Sequence, residues 1–220
     1  MQSSTLPAVA GRSFLAPLIA GVKCIFFKIV QGSDMDQQLS FLREIDKLKN
    51  VVRKSPLIDR SRKENSAEHS WHLAMYALIL SESSNQEIDI NRVIRMLLIH
   101  DIVEIDAGDH PIHDSVNNEN QELLERQAAL RIFGLLPESQ GKELVELWQE
   151  FEAGTSDDAV FAKALDRMQP LIHNIATDGG TWAEANVTKA QVEERYGPII
   201  KEGSLGLWSK AKELIGKHFE

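Results

Sequence analysis

The residues that could do chemistry in this sequence are His69, His100, Asp101 and Asp166. His100 and Asp101 follow the apolar run Leu97-Leu98-Ile99 directly. An imidazole and a carboxylate add nothing to an apolar helix, and burying a carboxylate is costly unless it is paired or bound to a metal. Glu104 lies four residues after His100, on the same face if the segment is helical. Asp166 sits in KALDRMQP, between Leu165 and Met168 and four residues before Pro170. A proline there removes a hydrogen bond to the Asp166 carbonyl and crowds it, which predicts a kink beside the acid. Two imidazoles and two carboxylates form a mixed nitrogen and oxygen donor set. Such a set suits one divalent Mn, Fe, Co, Ni or Zn ion, with positions left open for water or substrate. The only cysteine is Cys24, which excludes a closed thiolate zinc site and an intramolecular disulfide.

Helices must position these residues, because helical periodicity recurs along the chain and strand signals are scarce. Residues 36–54 place Leu39, Leu42, Ile45, Leu48, Val51 and Val52 on one stripe. Residues 66–82 are apolar almost all round and predict a central helix carrying His69 in its first turn. Asn65 caps it, with Glu68 as the reciprocal partner. Residues 90–104 predict a third, buried helix, and Gly108 and Pro111 mark a loop after it. Residues 118–133 and 138–152 predict two more helices, separated by Gly134 and Pro137. Thr155 or Ser156 starts a long helix that reaches about Ala176 and ends at Asp178-Gly179-Gly180. The remainder predicts one or two amphipathic helices around Gly197 and Pro198. The expected fold is all-α, a compact multi-helix bundle.

Four segments carry a more specific signal: RKENSAEHSWHLA (62–74), LLIHDIVEIDAGD (97–109), LWQEFEAGTSDDAVFAKALDRMQP (147–170) and GGTWAEANVT (179–188). In this order they resemble the HD-domain metal-dependent phosphohydrolases, in the branch that contains the 5′-deoxynucleotidases. The resemblance covers roughly Met35 to the C-terminus. It implies an HD-domain bundle with His69, His100, Asp101 and Asp166 as ligands of one divalent metal ion. It also implies Glu104 as a catalytic glutamate, Asp109 as an acid near the substrate, and a homodimer. The basic-aromatic pair that helps those deoxynucleotidases select substrate is replaced here by Lys54 and Ser55, with Arg53 and Arg60 nearby. Glu104 is followed by Ile105 where the alarmone-hydrolysing relatives carry Glu-Asp, which counts against that substrate. The expected activity is release of phosphate from a small phosphate ester, first a (deoxy)nucleoside 5′-monophosphate. Phosphodiester or nucleoside triphosphate hydrolysis and a non-catalytic metal or nucleotide sensor are the alternatives.

Blander readings compete residue by residue. Taken singly, each ligand candidate reads better as a satisfied core residue; the ordered set reads as a metal site. Glu68 reads as a helix cap, and Glu104 as a base in preference to an orienter of a ligand histidine. His72 and His173 read as structural residues, and His110 and His113 as loop residues in preference to ligands of a second metal. Lys54, Arg60 and Arg62 are candidates for binding the substrate phosphate, although short basic runs are usually solvated. Trp71, Trp148 and Trp182 suit the core or a pocket wall.

The totals set bounds. The 220 residues suit one domain, and 43% apolar residues supply a sizeable core. A net charge of −9 and a pI near 5.3 argue against duplex nucleic acid or an anionic membrane as the main partner. One cysteine fits a reducing cytoplasm. Residues 1–34 differ from the rest: Arg12, Lys23 and Lys28 precede the first acid, Asp34. Pro17, Lys23 and Lys28 interrupt the apolar stretch 13–30, which argues against a membrane span of roughly 20 uncharged residues. The expectation is an extension outside the core, with a targeting segment as the alternative, followed by one domain over 35–220.

Overall fold

The structure, a computed structural model, describes residues 33–109 and 118–220. Residues 1–32 of the expected extension lie outside the described residues, and so do His110 and His113. The first helix, α1 (Asp34–Ile45), is capped by Ser33, whose side chain accepts from the Asp36 backbone N–H while the Asp36 carboxylate accepts in return. A boundary at Met35 therefore falls inside the first turn of α1.

The expected helix over 36–54 is corrected. α1 ends at Ile45, a 3-10 turn runs over Asp46–Asn50, and the chain then enters β1 (Val52–Pro56). β1 pairs antiparallel with β2 (Lys63–Asn65). Val51 and Val52 are β-branched and Pro56 has no N–H, which favours extended backbone over a helix here. The buried side is also not the expected stripe. Leu39 is 47% exposed and Leu42 57%, whereas Phe41 and Leu48 are buried.

Helix α2 (Ser66–Leu80) starts at the expected Asn65 cap. It lies against the core on one side only, because Trp71, Met75, Leu78 and Ile79 face outward. Trp148 and Trp182, by contrast, are core residues. The expected helix over 90–104 is three pieces: α3 (Ile90–Ile99), a 3-10 turn over His100–Val103, and α4 (Glu104–Ala107). Helices α5 (Asn118–Phe133) and α6 (Glu138–Ala153) follow.

Helix α7 (Asp157–Ala176), capped by Ser156, is the axis of the molecule. It continues through Pro170 as one helix. Helices α2, α3 and α6 pack on it, as do the C-terminal α8 (Gly180–Glu184), α9 (Lys189–Gly203) and α10 (Leu205–His218). Gly203 permits the closest approach: a Cβ there would lie 2.5 Å from the Ala164 Cβ and 2.8 Å from the Val160 carbonyl oxygen. The expected all-α bundle is present, with the small β1–β2 ribbon as its one addition among the described residues.

Candidate active site

The core of the bundle opens into a cavity of about 470 Å³, within the usual range for small-molecule sites. Arg53, Lys54, His100, Asp101, Glu104, Asp109 and Asp166 line it, together with Lys163 and Arg167 from α7. His69 lies behind them, fully buried.

Each side chain is delivered by a local feature of the sequence. The Asn65 cap fixes where α2 begins, so His69 falls in the first turn and points inward. The 3-10 turn after Ile99 brings the neighbours His100 and Asp101 both to the cavity, and α4 adds Glu104. Gly108 then turns the chain with φ 81° and ψ 159°, a conformation essentially reserved for glycine, and Asp109 follows at the cavity wall. Asp166 comes from the middle of α7 and is 8% exposed.

The four candidate ligands converge. His69 Nε2 lies 2.9 Å from Asp166 Oδ1 and 4.0 Å from Asp101 Oδ2. His100 Nε2 lies 2.8 Å from Asp101 Oδ1 and 3.6 Å from Asp166 Oδ1. His100 donates Nδ1–H to the Leu97 carbonyl at 2.9 Å, so in the neutral ring its Nε2 carries a lone pair. That lone pair faces two carboxylates, and Nε2 is a buried nitrogen with no well-aligned hydrogen bond. His69 has the same problem, because its Nδ1 is occupied by the Gln169 amide oxygen at 3.1 Å. Ring lone pairs aimed at carboxylate oxygens repel unless a positive charge lies between them. At His100 a proton supplies that charge in the metal-free chain. Burial pushes the His100 pKa down, but Asp101 and Asp166 more than reverse this and hold it well above the ordinary value. A divalent cation supplies it better, and the His69, His100 and Asp101 donor atoms lie within 4.8 Å of one another. The residues present therefore fit a divalent metal.

The electrostatics separate the acids. Burial raises Asp101, but His100 and Arg53 outweigh it and bring its pKa to about 2. Glu104 is pushed the other way, to about 9, by burial first and by the Asp101 charge second. Ser66 Oγ donates to Glu104 Oε2 at 2.6 Å. Arg53 donates to Asp101 Oδ2 at 2.9 Å and lies 3.7 Å from Asp109. Burial opposes its charge, and the surrounding Asp101, Glu104, Asp166 and Asp109 carboxylates more than restore it.

The basic candidates divide. Lys54 lines the cavity, but Arg60 and Arg62 do not. Arg60 sits at the β1–β2 turn with a positive φ and pairs with Asp178, and Arg62 donates to Glu68 Oε2 at 2.8 Å. Both are exposed, so the structure places them in surface ion pairs, away from the ligands. The cavity's other cations are Arg53, Lys163 and Arg167. The last two fall on the face of α7 that carries Asp166, a spacing visible in the sequence although unused. Glu64 and Gln169 were also missed; only the position of Gln169, three residues after Asp166, hinted at it.

Comparison with known proteins agrees with this geometry. The model of the HD-domain family matches residues 45–208. The chain is 33% identical over 144 residues to the 5′-deoxynucleotidase HDDC2 of Bos taurus, covering 65% of this chain and 69% of that protein. With the human protein of the same name it shares 33% identity over 135 residues, covering 61% and 65%. The chain thus spans about two thirds of the length of these relatives. Among solved structures, a predicted metal-dependent phosphohydrolase from Magnetospirillum magnetotacticum MS-1 superposes with a TM-score of 0.80 at 51% identity, covering 85% of this chain and 96% of that one. With His69, His100, Asp101 and Asp166 buried together inside the matched region, the chain belongs to the HD-domain family.

Proposed function

We propose that this protein is a metal-dependent phosphohydrolase that releases phosphate from a small phosphate ester, first a (deoxy)nucleoside 5′-monophosphate. The observation that carries the reading is the cavity itself: an N/O metal cluster, an acid of raised pKa and several cations share one small-molecule pocket. The names of the relatives support the nucleotide class. His69, His100, Asp101 and Asp166 would hold the cation, which supplies Lewis acidity and neutralises charge on the phosphoryl group. Glu104 accepts the proton of the attacking water on Oε1, since Oε2 is engaged by Ser66. A bond forms from the water oxygen to phosphorus, and the bond from phosphorus to the ester oxygen breaks. The proton then passes to the departing alcohol. Asp109 is placed to hold a sugar hydroxyl or assist that departure. Coulombic repulsion from Asp101 is part of what keeps Glu104 protonated in the metal-free chain, and a cation beside Asp101 offsets it.

The direct test is phosphate release by the purified protein from nucleoside monophosphates, other phosphate esters, cyclic nucleotides and triphosphates, with Mn, Co, Fe, Ni and Zn in turn. Binding without release would point to the sensor reading. Release only from diesters or triphosphates would move the activity elsewhere in the family.

Phosphate binding follows the cavity wall. Lys54→Ala and Lys163→Ala are expected to lower kcat/KM by roughly tenfold or more, as loss of a charged hydrogen bond does. Arg60→Ala and Arg62→Ala should stay within about twofold. The reverse pattern would return the role to the surface pair.

The homodimer is proposed through α2, whose exposed Trp71, Met75, Leu78 and Ile79 form one apolar face. Sedimentation should show a dimer that Ile79→Glu dissociates. A wild-type monomer at micromolar concentration would remove the proposal.

A further inference from the structure

Behind His69 lies a second polar layer that the reaction does not use. Gln169, fully buried on α7, sits among Glu64 from β2, His72 from α2 and His173 from α7. Its Nε2 is 2.9 Å from Glu64 Oε1, 3.1 Å from His173 Nε2 and 3.4 Å from His72 Nδ1. Its Oε1 is 3.1 Å from His69 Nδ1. Glu64, His72 and His173 have the chemistry of metal ligands, with donor atoms within 4.8 Å of one another. Yet the Gln169 amide nitrogen lies within 3.4 Å of all three, so the space between them is already filled by N–H.

We propose that Gln169 is a positioning residue whose amide, locked in one orientation by Glu64, His72 and His173, fixes the tautomer in which His69 presents Nε2 to the metal. The inference rests on the reading of His69 as a ligand. The orientation follows from counting donors. A carboxylate only accepts, so Glu64 requires the NH₂ end of the amide, whose two hydrogens are shared between Glu64 and the two ring nitrogens. The reversed amide would set an oxygen against the Glu64 carboxylate and an NH₂ against His69. With the oxygen facing His69, Nδ1 carries the proton, and in the neutral ring that binds a metal Nε2 carries the lone pair. Glu64 Oε2, a buried oxygen without a hydrogen bond, lies 3.6 Å from His69 Nδ1 and 3.8 Å from Arg53 Nε, so its charge also favours the proton on Nδ1. Arg53 thereby links this layer to Asp101.

The test measures binding of Mn²⁺ and Zn²⁺ by competition with a chelator, alongside ¹⁵N spectra of the histidine rings in the Zn²⁺-loaded protein. Gln169→Leu keeps the volume and loses the acceptor, so it should weaken metal binding by roughly 10–100-fold, the usual effect of losing such an outer partner. The slowly exchanging Nδ1–H of His69 should disappear with it. Gln169→Glu should restore binding to within severalfold of wild type, since a protonated glutamate offers a carbonyl oxygen to His69 and a hydroxyl to Glu64. Glu64→Gln, which frees the amide to turn either way, should fall between the two. If Gln169→Leu fails to fold, the order of Gln169→Glu over Glu64→Gln still decides. Wild-type affinity in a folded Gln169→Leu protein would overturn the proposal, as would metal found on Nδ1. So would a metal equivalent lost from the His72→Ala, His173→Ala double variant. Should His69→Ala itself retain full affinity, the ligand reading fails first, and the two failures are told apart.

Discussion

Asp101→Ala is expected to lose metal and activity together. Metal content after dialysis should fall to background, and phosphate release should fall to the rate without protein. Asp101 is the junction of the site: His100 Nε2 lies 2.8 Å from one oxygen, and Arg53 donates to the other at 2.9 Å. Removing it leaves the Arg53 guanidinium and the His100 ring with their positive charge buried and underpaired. Breaking one side of a buried pair costs about 3–5 kcal/mol, which for a chain of this size corresponds to a melting temperature lower by roughly 6–20 °C. That instability has its own control. Asp101→Asn keeps the shape and part of the hydrogen bonding, so it should melt nearer to wild type and still fail to hold metal. Stoichiometric metal in either variant would show that Asp101 is not a ligand.

Glu104→Gln should behave differently, which makes the pair informative. The amide has nearly the same shape and can still accept from Ser66, but it cannot take a proton. Metal content should remain, and kcat should fall by roughly 10²–10⁴-fold with little change in KM. Near-normal turnover would transfer the base role to Asp109, the next acid on the cavity wall. Loss of metal would make Glu104 a ligand. The same substitution predicts a change in stability with pH. The folded metal-free protein holds the Glu104 proton up to about pH 9, whereas an ordinary glutamate carboxyl titrates near 4.5. Between those values the folded state binds more protons than the unfolded one, so this group's contribution to stability falls as pH rises. The slope is at most about 1.4 kcal/mol per pH unit, and less because Glu104 is only half-buried and solvent screens it. Melting of the metal-free protein from pH 6 to 9 should therefore decline more steeply for wild type than for Glu104→Gln. Metal should flatten the wild-type curve, since it offsets the Asp101 charge. Parallel slopes for the two proteins would mean that Glu104 is already ionised in the folded chain.

What the sequence determined by itself was local. The capping pair Asn65 and Glu68 set the start of α2, and Ser156 the start of α7, because caps depend on residues three apart. The all-α class followed from periodicity. The ordered segments around His69, His100, Asp101 and Asp166 identified the family, because ligand chemistry restricts residue types more tightly than packing does. The tertiary structure decided everything that depends on what lies opposite. Residues 52–56 became a strand because Lys63–Asn65 pairs with them, and that ribbon carries Arg53 to Asp101 and Glu64 to His69. Leu39 and Leu42, apolar at helical spacing, face outward because the core meets α1 on the side of Phe41 instead. Arg60 and Arg62 were drawn to Asp178 and Glu68, partners whose proximity no local pattern states. Gln169 is the clearest case. An uncharged amide within an apolar helix carries no signal beyond its spacing from Asp166, and its orientation is set by a strand about a hundred residues earlier in the chain. Hydrogen-bond direction depends on which donors and acceptors converge in space, and that convergence exists only once the chain has folded.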